Sequence, residues 1–406
     1  MGFDIPEEER MIVEGLRKFN DQVSVPLEQE DHQLFASGRY TYGEDGREVP
    51  KILELKRRVR MESSKAGFFT ITSPKEIGGG GRGALTTFCV WEFINSTYGT
   101  DYELPHLSVT HWATGPGPLM LGVKEPLRSQ ILPFINSGER AVGFGMSEPD
   151  AGSDAWNMKT RAVRDGDDWI INGTKQWISN GPYANYVLVF AITEPELAAA
   201  RRGGISCFLV DATSPGYSTS PIRIWGEVGG NEGILSFSDV RVPNGNLVGE
   251  LGQGFRLAIA GVSHGRLYNT ARCVGLSQWA LRKATKYSQE RIAFNGPIAM
   301  NQGVSFQLAD CAIEMHAAKC MGLALANMID RGERVVKEMN MTKAFATEAC
   351  FRIIDRCIQV FGGMGVTNET ALFHAFHIAR TVRIADGTSE ILRRNIAQEL
   401  FRGNLD

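Results

Sequence analysis

The spacing of apolar residues changes character twice along the chain, and the order of those changes limits the folds open to it. Ile12, Val13, Leu16 and Phe19 recur at helical spacing, as do Ile52, Leu53, Leu55 and Val59, so residues 1–138 predict a helical N-terminal domain. Over residues 139–252 the pattern shifts to short alternating or apolar runs, at Trp169 to Asn172, Tyr186 to Phe190, Ser206 to Val210 and Ile234 to Phe237. Gly, Pro, Asn and Asp separate these runs, which predicts a β domain. Residues 253–406 turn helical again, with helices expected from Phe255 to about Arg291, Val304 to Ile329, Val335 to Val360 and Ser389 to Phe401. Helices, then strands, then four long helical patterns describe an α+β fold: a helical domain, a sheet or barrel domain and a C-terminal four-helix bundle. Tyr40 to Glu48, with Gly43 and Gly46 among charged residues, predicts a polar surface loop.

Composition narrows the function. The 406 residues include 43 basic and 46 acidic ones, a formal charge of −3, which leaves neither a basic footprint for nucleic acid nor a polybasic membrane patch. A small-molecule role follows. Seven cysteines without a CxxC pair suit a reducing compartment and predict core filling rather than a metal site. The acidic, non-apolar start, Pro6 against a myristoylation pattern, and an Asn404-Leu405-Asp406 ending unlike a peroxisomal address predict a cytoplasmic protein.

Several motifs have a structural reading beside a chemical one. Gly78 to Gly83 matches G-x-G-x-x-G, yet Pro74-Lys75-Glu76 separates it from the strand-like Phe68 to Thr72 and no βαβ unit surrounds it, so a turn is expected. His374 and His377, spaced i, i+3, lack acidic or sulfur partners for a metal, and a solvated or interface face is expected. Gly145 to Asp154 ends a strand with Ser147 and turns through Pro149 and Gly152. Lys175 to Asn180 ends another with Trp177 and Ser179. Two strand ends that each pair a small donor with an aromatic plane suit a flat heteroaromatic ring with polar edges, such as a flavin. Gln359 with Gly362 and Gly363, and Arg291 with Phe294 and Gln302, read alone as a helix C-cap and an inter-helix loop. Asp386-Gly387-Thr388-Ser389-Glu390 reads first as the start of a helix with Thr388 as N-cap.

Taken together and in this order, these motifs resemble the acyl-CoA dehydrogenase family over nearly the whole chain. The resemblance implies FAD as cofactor, with Phe144, Met146 and Ser147 over the pyrimidine side of the flavin ring and Trp177 and Ser179 beside its other face. It implies that Arg291, Phe294 and Gln302 reach the FAD of a neighbouring subunit, that Gln359, Gly362 and Gly363 lie along its adenosine and pyrophosphate, and that Thr388 and Glu390 also contact it. Ser153 and Gly387 correspond to substrate contacts, Arg266 to an arginine beside the catalytic carboxylate, and Asp386 to that carboxylate, usually a glutamate. Gly265 occupies the alternative base position. Gly229 to Gly233 replaces the usual arginine-rich stretch, and with Ala385-Asp386-Gly387 it resembles the aspartate-containing branch that includes mammalian members ten and eleven.

The implied reaction is α,β-dehydrogenation of an acyl-CoA to a trans-2-enoyl-CoA, with an electron-transferring flavoprotein as oxidant and a homo-oligomeric enzyme. Two alternatives stand beside it: a nitroalkane-oxidase-like or monooxygenase flavoprotein on the same scaffold, and a catalytically silent flavin-containing binding protein.

Overall fold

The computed structural model describes residues 5–36, 38–224 and 230–404. Gly229, Leu405 and Asp406, used above, lie outside the described residues. The chain forms two compact units. The first comprises Met1–Lys18, Arg82–His106 and Ser263–Asp406, the second Phe19–Gly81 and Leu107–Val262.

In chain order the main elements are α1 (Glu7–Phe19), α2 (Pro50–Lys65), α3 (Ala84–Thr97) and α4 (Leu127–Asn136), then strands β1 (Val142–Gly145), β2 (Arg161–Asp165), β3 (Asp168–Ser179) and β4 (Tyr186–Ile192). They continue with β5 (Ile205–Asp211), β6 (Tyr217–Pro221), β7 (Glu232–Pro243), β8 (Leu247–Val248), α5 (Gly254–Glu290), α6 (Gln302–Asp330), α7 (Val336–Phe361), α8 (Leu372–Val382) and α9 (Ser389–Phe401). The fold is α+β, helical at both ends of the chain with a sheet between, and the last four long helices match the expected ones to within two residues.

In the second unit the sheet runs β6-β7-β3-β2-β4-β5-β8, and β1 adds to β4 in parallel. Strand β4 explains its own composition. Tyr186, Leu188 and Phe190 enter a core with Ile131, Leu132 and Ile135 of α4, whereas Val187, Val189 and Ala191 enter a second core with Trp169, Ile171 and Phe208. Because successive side chains point to opposite faces, a strand covered on both sides must be apolar throughout. Each such aliphatic or aromatic side chain contributes about 1.5–3 kcal/mol by burial.

Two expectations are corrected here. Phe68 to Thr72 is a series of turns, not a strand; its apolar residues serve packing, and Phe69 is buried. The segment Tyr40 to Glu48 is not simply a surface loop. Arg47 donates to the carbonyls of Pro182 (2.9 Å) and Thr219 (2.6 Å), the Glu48 amide donates to the Tyr183 hydroxyl (2.8 Å), and Lys56 pairs with buried Glu48 at 2.6 Å. Arg47 thus points inward to carbonyls distant in sequence and Glu48 is buried against Lys56, which composition alone does not reveal.

The glycine run is a turn. The amides of Gly79, Gly80 and Gly81 donate to the carbonyls of Pro74, Thr70 and Ser73 at 2.8–2.9 Å, so they are not available to cradle a phosphate. Gly80 is required by close approach: a Cβ there would lie 2.6 Å from the Ile71 carbonyl oxygen.

In the first unit α7 packs against α6, α8 and α9. Asp330, at the end of α6, accepts from the amides of Ala84 (2.6 Å) and Leu85 (2.9 Å), capping the first turn of α3. Six of the seven cysteines are buried and all are free thiols, consistent with core filling. Among the described residues, no three His, Cys, Asp or Glu side chains converge as metal ligands, and no helix is long and apolar enough to cross a membrane.

Candidate active site

Asp386 lies in the loop between α8 and α9 with φ = 55°, a left-handed backbone that costs energy for a residue bearing a Cβ, though least for Asn and Asp. Three side chains hold it there. Asn269 Nδ2 donates to the carboxylate at 2.7 Å, Arg266 Nε donates to the Asp386 carbonyl at 3.1 Å, and Lys343 Nζ donates to the carbonyls of Ala385 and Gly387, both at 2.7 Å. Arg266 and Asn269 stand one turn apart on α5, and Lys343 projects from α7 with no exposed surface. The loop is thus tied to two rigid helices. Strain held by its surroundings is a reason to suspect function.

The electrostatics are finely opposed. Loss of hydration raises the Asp386 carboxyl to about 6, against the Lys343 ammonium, the Arg266 guanidinium and the Asn269 hydrogen bond, which pull it down. Burial lowers the Lys343 ammonium to about 8 although Asp386 supports its charge. At neutral pH both groups are charged. The Asp386 amide makes no hydrogen bond among the described residues, which leaves a donor at the same position as the carboxylate. Gly387 continues the left-handed path at φ = 98°. Thr388 is the N-cap of α9, its hydroxyl accepting from the Ile391 amide at 3.3 Å, and Glu390 lies exposed in the first turn.

In the second unit the two strand ends are joined by a pair that sequence reasoning passed over. Lys175 Nζ donates to Glu148 at 2.7 Å and to the Met146 carbonyl at 3.1 Å. Glu148 also accepts from the amides of Lys159 (2.5 Å) and Thr160 (3.0 Å). Both side chains are buried, 0% and 4% exposed. Burial lowers the lysine to about 8, and the lysine in turn holds the Glu148 carboxyl below its ordinary value. The Gln176 amide donates to the Ser147 carbonyl at 2.9 Å, which brings the segments carrying Met146, Ser147 and Trp177 side by side. Phe144 packs between Trp112 and Phe190 at 5.0 and 5.1 Å between ring centroids. The β3–β7 register slips between Lys175 and Ile178, and within that bulge Trp177 takes φ = 64° and leaves its indole 56% exposed. A strained, half-exposed tryptophan is a flat surface without a protein partner; Ser179 follows two residues on, and Ser153 is exposed.

Elsewhere in the first unit, α5 ends at a small hairpin (Ile292–Ala293 and Gly296–Pro297). Arg291 is exposed there and Phe294, at φ = 51°, is 96% exposed. Gln302 begins α6 and is exposed, as are Gln359, Gly362 and Gly363 at the end of α7. The structure brings Asp386, Arg266, Gly387 and Thr388 together, and separately Met146, Ser147 and Trp177. Asn269 and Lys343 were missed. Asn269 sits three residues past Arg266 and so on the same helix face, and Lys343 is the one charge in Met341 to Thr347.

Comparison with known proteins identifies the family. Residues 143–240 match the acyl-CoA dehydrogenase middle domain and residues 252–401 the acyl-CoA dehydrogenase C-terminal domain. The chain is 32% identical over 356 residues to an acyl-CoA dehydrogenase of Bacillus subtilis, covering 87% of this chain and 92% of that protein. It is 34% identical over 337 residues to cyclohexane-1-carbonyl-CoA dehydrogenase of Syntrophus aciditrophicus, covering 82% and 86%. A probable acyl-CoA dehydrogenase of Mycobacterium abscessus superposes with a TM-score of 0.84 at 27% identity, over 97% of this chain and 99% of that one. With identity above thirty per cent sustained across most of both chains, the protein belongs to the acyl-CoA dehydrogenases, a family of FAD-binding oxidoreductases.

Proposed function

We propose that this protein catalyses α,β-dehydrogenation of an acyl-CoA thioester to the trans-2-enoyl-CoA, with Asp386 as the base that removes the α proton. One observation carries the reading: a carboxylate in a strained loop, anchored by Asn269 at 2.7 Å and raised to about 6. A base of that pKa is ionised at neutral pH yet retains more basicity than a solvated aspartate. The α C–H bond breaks with its proton passing to the Asp386 carboxylate and its electron pair moving toward the thioester carbonyl. The unpaired Asp386 amide is positioned to stabilise the developing oxyanion, an interaction typically contributing about 3–4 kcal/mol.

FAD, when bound, supplies the hydride acceptor at flavin N5. The exposed Trp177 indole and the Ser147 and Ser179 hydroxyls fit the faces and edges of such a ring, and Met146 and Phe144 stiffen the strand beneath. Arg291, Phe294 and Gln302, with Gln359, Gly362 and Gly363, are read as contacts to the FAD of a neighbouring subunit, supported by the near-complete exposure of Phe294. Thr388 and Glu390 are read as further cofactor contacts, and Ser153 and Gly387 as substrate contacts. The reading includes homo-oligomerisation, a cytoplasmic setting, an electron-transferring flavoprotein as oxidant, and the aspartate-containing branch.

Anaerobic titration of the FAD-loaded protein with a panel of acyl-CoA esters tests it. Bleaching of the flavin, followed by faster reoxidation with ferrocenium than with oxygen, is expected. No bleaching by any thioester, or oxygen turnover with a nitroalkane, would favour the oxidase alternative.

A further inference from the structure

The two carboxylate oxygens of Asp386 are treated differently by the fold. Oδ2 accepts from Asn269 Nδ2 at 2.7 Å, whereas among the described residues no donor reaches Oδ1. Asn269 is 3% exposed on α5, where an unpaired side-chain amide is unfavourable. An ionised carboxylate only accepts, so the end of the amide that meets it is the NH2 group. This hydrogen bond favours the ionised form and restrains rotation about the Cβ–Cγ bond through one oxygen. The other oxygen stays open.

The backbone beneath has little freedom to rearrange. Lys343 holds the carbonyls of Ala385 and Gly387, and Arg266 holds that of Asp386, so three successive carbonyls are tied to α7 and α5. With the loop held there, the span from the Asp386 backbone to the Asn269 amide is set, and an aspartate side chain fills it. A glutamate would add one carbon–carbon bond, about 1.5 Å, against a contact already at hydrogen-bond length. The charged and titratable groups facing the carboxylate are the Lys343 ammonium of α7 and the Arg266 guanidinium and Tyr268 phenol of α5. Arg383 pairs with Glu348 at 2.9 Å, and Glu390 of α9 is exposed. Among the described residues, Asn269 alone makes a hydrogen bond to the carboxylate itself.

We propose that Asn269 is the positioning residue of the base: it holds Oδ2 so that Oδ1 receives the α proton, and it matches the site to an aspartate rather than a glutamate. As the α C–H bond breaks, its proton passes to Oδ1 and its electron pair toward the thioester carbonyl. Oδ2 keeps its bond to the Asn269 amide throughout, because the neutral acid still accepts at that oxygen. The inference rests on the acyl-CoA reading above and deepens it by naming the accepting atom and the side chain that selects it.

The test uses the FAD-loaded protein and two readouts. The first needs no substrate: the pH titration of the Asp386 carboxyl stretch, obtained as the infrared difference from Asp386→Asn. Asn269→Leu keeps the volume and deletes the donor, and should raise that midpoint by at least about half a pH unit, as loss of a hydrogen bond to the charged form requires. Asn269→Ser, too short to reach the carboxylate, gives the same comparison should the leucine variant not retain FAD. The second readout is stopped-flow flavin reduction by the acyl-CoA ester that bleaches the parent fastest. Asn269→Leu should lower its plateau by at least about tenfold, with the acid limb moved upward in step with the infrared midpoint. Asp386→Glu should be slow alone and at least about tenfold faster when combined with Asn269→Ala, which makes room for the longer acid. An unmoved infrared midpoint, a plateau that does not fall, a lowered plateau with an unmoved acid limb, or a double variant no faster than Asp386→Glu would each overturn the proposal. A parent protein that no thioester bleaches would count against the acyl-CoA reading, whereas the infrared midpoint reports on Asn269 independently of it.

Discussion

Removing the ammonium beneath the Asp386 loop should move the pH profile of the reaction as well as its stability. Lys343→Met keeps the buried stem but deletes a charge and two hydrogen bonds of 2.7 Å, to Ala385 and Gly387. Each such bond contributes about 1.5–3 kcal/mol. Part of that is offset, because the ammonium itself is costly to bury, as its fall to about 8 indicates. A net loss of about 2–4 kcal/mol in folding stability is expected, near the lower end for breaking a buried charged contact. The second consequence is electrostatic. Lys343 is the larger of the two cationic influences that keep Asp386 from rising above about 6. Its loss should raise the acid limb of flavin reduction by about one pH unit, so that the ionised fraction at pH 7 falls from roughly nine-tenths to about half. Stopped-flow reduction of the FAD-loaded variant across the acid range measures this directly, and the lost rate should return as the pH is raised. A uniformly slower enzyme with an unmoved acid limb would show that Lys343 only tethers the loop and would refute the electrostatic argument.

Two further perturbations probe the other parts of the site. Glu148→Gln leaves Lys175 buried without its counter-charge, and should lower stability by about 3–5 kcal/mol and weaken FAD retention, measured by thermal melts and flavin release; an unchanged melting temperature would show that the pair does not hold the strand ends. Phe294→Ser removes the 96% exposed ring of the hairpin, and should shift light-scattering mass toward smaller species and lower FAD occupancy without affecting the secondary structure. A variant with parental mass and full flavin would remove the hairpin from the assembly.

The large elements were legible because each carries its own periodicity. The runs in β4 and β5 and the helices α5, α6, α7 and α9 have apolar residues enough to declare themselves. The end of β3 was legible as a strand end at Lys175 to Asn180, but the reason that Thr174, Lys175 and Gln176 are polar was not, since it is tertiary: Lys175 is buried to meet Glu148. The Tyr40 to Glu48 segment misled in the same way, Arg47 being aimed at carbonyls distant in sequence and Glu48 buried against Lys56. At the candidate base, Asp386 and Arg266 were found by resemblance. Asn269 and Lys343 depend on which helix faces meet, and sequence spacing on one helix does not specify that.

Asp386→Asn tests the central claim most directly. It preserves size, the backbone amide and the approach to α9 while removing the carboxylate. Its effect on the pH dependence of stability has a definite sign. Because Asp386 binds its proton more tightly in the folded state, the parent loses stability as the pH rises from its ordinary 3.8 through about 6; the asparagine variant lacks that loss, so its melting temperature should fall less than the parent's across this range. FAD and acyl-CoA binding should persist. Single-turnover flavin reduction by a true substrate should fall by at least about 10³-fold, as expected for loss of a positioned general base. Reduction at nearly the parental rate, with the variant folded and loaded with flavin, would contradict the assignment of Asp386 as the base.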